Sequence, residues 1–551
     1  MHRRVKIGPS VTITLAVILS AACGDGEIGP IVETAAGALE GVHSRHAPDV
    51  IAFRGVPYAA PPVGDLRFRP PAPPLAWEGV RSAEDVGAPC WQPVGPVTAS
   101  VFSRGQLDVS EDCLYLNVFA PVERVPDGAP VMVWYHGGGN TAGHGGARIF
   151  DGSALALKGA VVVTVNYRLG VFGFFAHPAL TAESEHGSSG NFALLDQIAA
   201  LEWVRQNIEA FGGDPGRVTI FGQSAGSVDV CLLMASPVAA GLFHRAIGHS
   251  GGCFSAAATH LTRRGGAAGD SPSAHERGLT MAARVGIEGV GPAAANRLRG
   301  LEAGDLYSGF GGGSGPIVDG WIIPRPAWET FQAHEQNDVP VIAGAMDNEM
   351  GSLGAAIQET SRDAFERVIR GSFGEHTDVV LSAYADLIEE STRTAQQKIF
   401  TDANFVWQAR TWARSVEAAG TDSYLYHFTL PNPVFRLYTY TAPELDAYPN
   451  GRRGMGAYHS GDLAYAFGTV NLVGIGWTGW DRQLSDMMTS YWVNFARSGD
   501  PNGDGLPLWP AYRAADDLVL EFGERVEATT HPRRAQMAVF DAARPAPTGG
   551  R

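Results

Sequence analysis

The sequence predicts a doubly wound α/β fold, with a mostly parallel central sheet and helices on both faces. Three observations predict it. Residues 131–135 and 160–165 are short apolar runs, the second strongly β-branched, and neither alternates with polar residues. Strands covered on both faces read this way. Residues 192–211 form a helical segment, with Leu194, Leu195, Ile198, Leu201, Trp203, Val204 and Ile208 near a 3.6-residue period. Strand, helix and strand then repeat in order, which calls for parallel pairing through crossover helices.

The elements follow in chain order. The strands at 131–135 and 160–165 have glycine-bearing turns nearby. The helix at 192–211 is broken by Asp214-Pro215, and the apolar run 218–221 begins the next strand. A helix follows Ser224, and residues 246–250 read as a further strand. The run 308–315 is mostly glycine and reads as a mobile surface loop. It is no phosphate cradle, because no Gly-Lys-Ser/Thr follows it. Residues 339–344 predict a strand, 360–420 a helical, polar-faced region, and 424–428 a late strand. Residues 484–495 predict a helix, ended by Ser498-Gly499-Asp500-Pro501. There is no internal repeat and no linker long enough to split the chain. One domain over residues 27–545, with loop insertions, is expected.

Bulk composition removes some functions. The formal net charge is -16 over 551 residues, with no long basic run after the first few positions. Nucleic-acid binding needs a positive patch and is not expected. Residues 1–22 read as an export signal: His2, Arg3, Arg4 and Lys6, an apolar core over 11–19, then Ser20-Ala21-Ala22. The core is too short to span a bilayer. Cys23 follows directly and resembles the lipidated cysteine of a bacterial lipoprotein, although Leu19 stands one place too early. Lipid anchoring at Cys23 and simple cleavage both fit, and either takes the protein out of the cytoplasm. Membrane contact is expected only through that anchor.

Cys90 and Cys113 enclose a loop rich in Pro, Gly and Ser, which suits a disulfide in an oxidising compartment. Cys231 and Cys253 read as buried free thiols.

The chemistry is carried by Gly222-Gln223-Ser224-Ala225-Gly226, a Gly-x-Ser-x-Gly turn between a strand and a helix. This is the nucleophile elbow of an α/β-hydrolase. It lifts the serine oxygen above the sheet edge and aims a helix N-terminus at developing negative charge. An acyl-transferring serine also needs oxyanion donors, a base, and a group that orients the base. His136-Gly137-Gly138-Gly139 after a strand supplies the first. The expected donors are the N–H groups of Gly138, Gly139 and Ala225.

The residues alone leave base and acid open. Nine histidines follow Ser224. His427 lies in a strand and reads as structural. His459, in a loop of small residues, could reach a neighbouring site or be an ordinary loop histidine. Asp347 and Glu349 both follow the 339–344 strand, where this fold needs an acid, and both also suit solvent.

Several segments together resemble the type B carboxylesterase family, which includes the cholinesterases and the bacterial para-nitrobenzyl esterases. They are Phe53-Arg54-Gly55-Val56-Pro57-Tyr58, Glu111-Asp112-Cys113-Leu114-Tyr115-Leu116-Asn117, Asn166-Tyr167-Arg168-Leu169-Gly170, and Gly190-Asn191 with Asp196-Gln197. The likeness continues through Phe211-Gly212-Gly213-Asp214-Pro215, the elbow, Gly241-Leu242-Phe243-His244-Arg245-Ala246, Val318-Asp319-Gly320 and residues 491–501.

The resemblance implies Glu349 as acid, His459 as base ahead of Asp462, Ser250 as a second serine close to the triad, and a Cys90–Cys113 bridge. It implies ester hydrolysis through an acyl-enzyme on a small-molecule substrate, with neither metal nor organic cofactor. Amide or carbamate cleavage by the same residues, and a binding module of the same fold, are the alternatives.

Departures narrow the substrate. The cysteine loop has no central tryptophan, only Trp91 beside Cys90. Gln223 replaces the glutamate common in the cholinesterase branch. Asn140 stands where an aromatic residue is frequent, and Met350 where glycine is usual. Choline esters are therefore not expected, since a quaternary ammonium needs an aromatic face.

Overall fold

The computed structural model describes residues 28–94, 101–102, 105, 107–254, 258–265, 271–310, 315–438 and 453–543. The signal segment and Cys23 lie outside them.

A thirteen-stranded sheet runs through the molecule. It begins as an antiparallel meander of β1 (Ile28–Thr34), β2 (Gly37–Ser44) and β3 (Ala47–Pro57). The short β4 (Val80–Ser82) pairs with β2. β5 (Tyr115–Pro121) is antiparallel to both β3 and β7. The parallel centre follows in the spatial order β7 (Val161–Val165), β6 (Ala129–Tyr135), β8 (Gly213–Gln223), β9 (Arg245–His249), β10 (Val341–Met346), β11 (Ser423–Phe428) and β12 (Leu518–Phe522). β13 (Val526–Thr530) closes the edge antiparallel to β12.

Every residue of β6, β7, β10 and β11 is buried. Helices cover both faces, which is why these strands carry no polar alternation. The helix Phe192–Asn207 and the helix Trp407–Ala419 pack with one core cluster, and the helix Gly479–Ser498 packs with the other. The last ends at Gly499 in the left-handed region, φ 85°, a helix stop that glycine adopts without strain.

Three expectations are corrected. Asp214-Pro215 does not precede the strand. β8 starts at Gly213, pairs there with Ala129, and bulges until Val218 meets Val131. The Asp214 side chain holds that bulge through Gly216 N–H and Arg217. The start of the 308–315 run is not loop, since Ser308–Phe310 ends the helix Ala303–Phe310; residues 311–314 lie outside the described residues, and Gly315 belongs to no helix or strand. Two more helices, Ala274–Arg284 and Pro292–Arg299, stand nearby. Finally, Cys231 and Cys253 are bonded to each other, with Cα atoms 5.7 Å apart. The nucleophile helix and the segment after β9 lie side by side, so two residues distant in sequence meet. Cys90–Cys113 forms as expected.

Candidate active site

The parallel strands β8, β9 and β10 end together, and backbone bonds tie their ends. Ser224 N–H donates to His249 O at 2.9 Å, and Ser250 N–H donates to Gly344 O at 2.8 Å. Ser224 sits past β8 with φ 56° and ψ -123°, a strained conformation of the kind stored at functional turns. The turn demands its glycines by close approach. A Cβ on Gly222 would stand 2.4 Å from the Gly226 backbone, and one on Gly226 would stand 2.1 Å from Tyr135 O.

The nucleophile helix Ala225–Met234 starts at the next residue, so the Ala225 N–H is the first of the helix's free donors. Across from it, Gly138 (φ 116°) and Gly139 (φ 64°) turn backwards after β6. Among the described residues no acceptor meets either N–H. Gly137 lies against the elbow; a Cβ there would stand 2.6 Å from the Gln223 amide oxygen. Gly137, the residue before two of the expected donors, thus packs against the turn that carries Ser224 and Ala225.

His136 is buried, stacks on Tyr167 with ring centroids 4.5 Å apart, and its Nδ1 lies 2.8 Å from Gly137 O. Burial pushes its pKa down to about 3, so the neutral ring donates that bond.

Two further loops meet beyond β10 and β11. Asn348 N–H donates to Ala457 O, and the Asn348 side chain donates to Met455 O, both at 2.9 Å. This stitching brings Glu349 against His459. Glu349 Oε2 lies 2.5 Å from His459 Nδ1, and Glu349 Oε1 accepts from Met346 N–H at 2.8 Å. Both side chains are buried. Asp347, the other candidate acid, turns away to Lys398 and Arg533.

His459 Nε2 faces the elbow. It lies 3.0 Å from the Gln223 side-chain amide, which donates to it. With the amide donating, Nε2 is the unprotonated nitrogen and Nδ1 carries the proton toward Glu349. Among the described residues Ser224 Oγ has no hydrogen-bond partner. Phe405 and Phe102 stand by the imidazole, with ring centroids 5.1 and 6.3 Å away.

Ser250 is buried at the end of β9 with φ 53°, and its Oγ is unpartnered among the described residues. A buried polar group that the sequence does not announce lies directly below. His249 Nδ1 meets Asp462 Oδ2 at 2.8 Å, Tyr426 donates to the same oxygen at 2.9 Å, and Trp492 donates to His249 Nε2 at 3.1 Å. No motif marks this group, because its members come from four separate elements.

The model of the "Carboxylesterase family" matches residues 28–540. The chain belongs to that family. It is 33% identical over 514 residues to the fumonisin B1 esterase of Sphingopyxis macrogoltabida, covering 90% of this chain and 86% of that protein. It is 34% identical over 557 residues to the liver carboxylesterase of Sus scrofa, covering 93% and 92%. A solved PNB esterase structure overlays with a TM-score of 0.75 at 30% identity, covering 93% of this chain and 99% of that one. This carboxylesterase is a serine ester hydrolase with the α/β-hydrolase fold. Its two disulfides suit an oxidising compartment. Among the described residues no helix is long and apolar enough to cross a membrane.

Proposed function

We propose that Ser224, His459 and Glu349 carry ester hydrolysis, with Gly138, Gly139 and Ala225 N–H as the oxyanion donors. The observation that carries this reading is the line from Glu349 Oε2 through His459 Nδ1 to an unprotonated Nε2 beside the elbow. Ser224 Oγ attacks the ester carbonyl carbon as His459 Nε2 takes its proton. The carbonyl oxygen becomes an oxyanion held by the three N–H groups. Collapse breaks the bond to the leaving oxygen, and His459 protonates the departing alcohol. A water then loses its proton to His459 and attacks the acyl-enzyme, and the carboxylic acid departs as Ser224 recovers its proton. Glu349 holds the tautomer and stabilises the imidazolium.

The substrates are small to medium carboxylic esters. Support for an apolar acyl or alcohol group comes from a cleft beside the nucleophile helix, lined by Val228, Leu232, Cys253, Ile317, Val318 and Ile323. The protein acts outside the cytoplasm, with residues 1–22 as leader and Cys23 either lipidated or released near the new terminus.

A panel of chromogenic esters, anilides and carbamates of graded acyl size, run with wild type and His459→Ala, tests this. Ester turnover in wild type, with loss in the variant, is the expected result. Full activity in His459→Ala returns the base role to another histidine. Anilide turnover without ester turnover overturns the substrate class.

A further inference from the structure

Asp229 is a fully buried carboxyl on the nucleophile helix, one turn past Ala225. Among the described residues no cation offsets it. Its oxygens are met by two amides instead: Oδ1 accepts from Asn140 Nδ2 at 3.0 Å, and Oδ2 accepts from Gln197 Nε2 at 2.7 Å. Burial pushes its pKa up to about 7 against the opposing pull of those two donors. A buried acid without a cation is costly, and an apolar residue would fill the space more stably. Packing alone therefore does not account for it.

Its partner is informative. Asn140 follows Gly139 directly and adopts φ 56°, a left-handed conformation. Its carbonyl accepts from Gly170 N–H at 2.7 Å. Tyr167 OH lies 3.5 Å from Asn140 Oδ1 and donates to His136 O at 2.5 Å. Tyr167 and Asp229 thus hold the Gly137–Gly139 turn at its two ends. Asp229 also sits on the helix whose first N–H is the third donor.

We infer that Asp229 is a positioning residue for the oxyanion hole, acting through Asn140 to fix the Gly138 and Gly139 donors relative to Ala225. The inference rests on the oxyanion reading above. A donor displaced by about 1 Å can cost on the order of a hundredfold in rate.

The test uses Asp229→Asn, Asn140→Ala and the double variant on the full chain. An asparagine removes the charge and must turn its own N–H₂ toward one of the two amides, so at least one of them has to give up its present contact or turn over. We expect kcat to fall about ten- to a hundredfold, with KM changed by less than about threefold. The inhibition constant of a trifluoromethyl ketone, which forms the tetrahedral adduct, should rise by the same factor as kcat/KM falls. The double variant should be no slower than the slower single one, because both act on one contact. A purely structural role predicts a lower melting temperature with kcat and ketone affinity unchanged, and that result overturns the inference. If Asp229→Asn fails to fold, Asn140→Ala gives the same readouts, and unchanged kcat and ketone affinity there overturn the inference equally. Ser224→Ala separates the two levels. Turnover retained there overturns the assignment of the site itself. An inactive Ser224→Ala beside an unaffected Asp229→Asn overturns only the role of Asp229.

Discussion

Replacing His136 by phenylalanine should flatten the acid side of the stability profile. His136 is buried beneath the glycine turn, stacked on Tyr167, and its pKa is pushed from 6.5 down to about 3 by desolvation. The sign follows from linkage. Below pH 6.5 the unfolded chain protonates this ring while the folded chain does not, so stability is present above the unfolded pKa and is lost as pH falls. Between about pH 7.5 and about pH 4.5 one such histidine removes about 3 kcal/mol. That is a large part of a typical unfolding free energy of about 5–15 kcal/mol. Phenylalanine keeps the stacking and cannot titrate. It also loses the bond to Gly137 O, worth about 1 kcal/mol, but that offset is equal at both pH values. Urea unfolding of wild type and His136→Phe at the two pH values measures the difference of differences. The variant should lose about 3 kcal/mol less than wild type on acidification. Equal losses in the two proteins refute a neutral buried His136.

Glu349→Gln should lower kcat by about 10³- to 10⁴-fold with little change in KM, as loss of the orienting acid does in such triads; steady-state kinetics reads it. Gly226→Ala should abolish activity or folding, because its Cβ would stand 2.1 Å from Tyr135 O; Gly304→Ala, with nothing within 4 Å, should leave both intact. Circular dichroism and ester turnover separate them. Removing the Cys231–Cys253 bridge in Cys231→Ser/Cys253→Ser, whose partners are 22 residues apart, should cost about 3 kcal/mol by the chain-entropy argument, read by urea unfolding.

Much of this was legible in the sequence because local rules and global fold agree. The β-branched run now at β7, the elbow and the glycine turn each announce themselves within a few residues, because backbone geometry dictates them. The residues alone leave base and acid open and only the family resemblance points to them, since His459 and Glu349 are joined by loops 110 residues apart. The geometry separates Glu349 from Asp347 by partner: Glu349 meets the His459 imidazole at 2.5 Å, whereas Asp347 pairs with Lys398 and Arg533 and lies 3.5 Å from a different imidazole, His427. The helices at 274–310 were hidden by a composition rich in glycine and alanine. Signals were present, however: the Ser273/Glu276 capping box and Pro292 at a helix start. The second disulfide, the His249–Asp462 pair and the Asp229–Asn140 pair were not legible, because each joins positions that only the sheet order brings together.

The most direct test of the account is the site of covalent labelling by a chromogenic alkyl phosphonate ester. Mass spectrometry of the digested enzyme should find one phosphonyl adduct, on the peptide carrying Ser224, formed in step with loss of ester turnover, and Ser224→Ala should take up none. An adduct on another residue that tracks the loss of activity, or turnover surviving in Ser224→Ala, would contradict it.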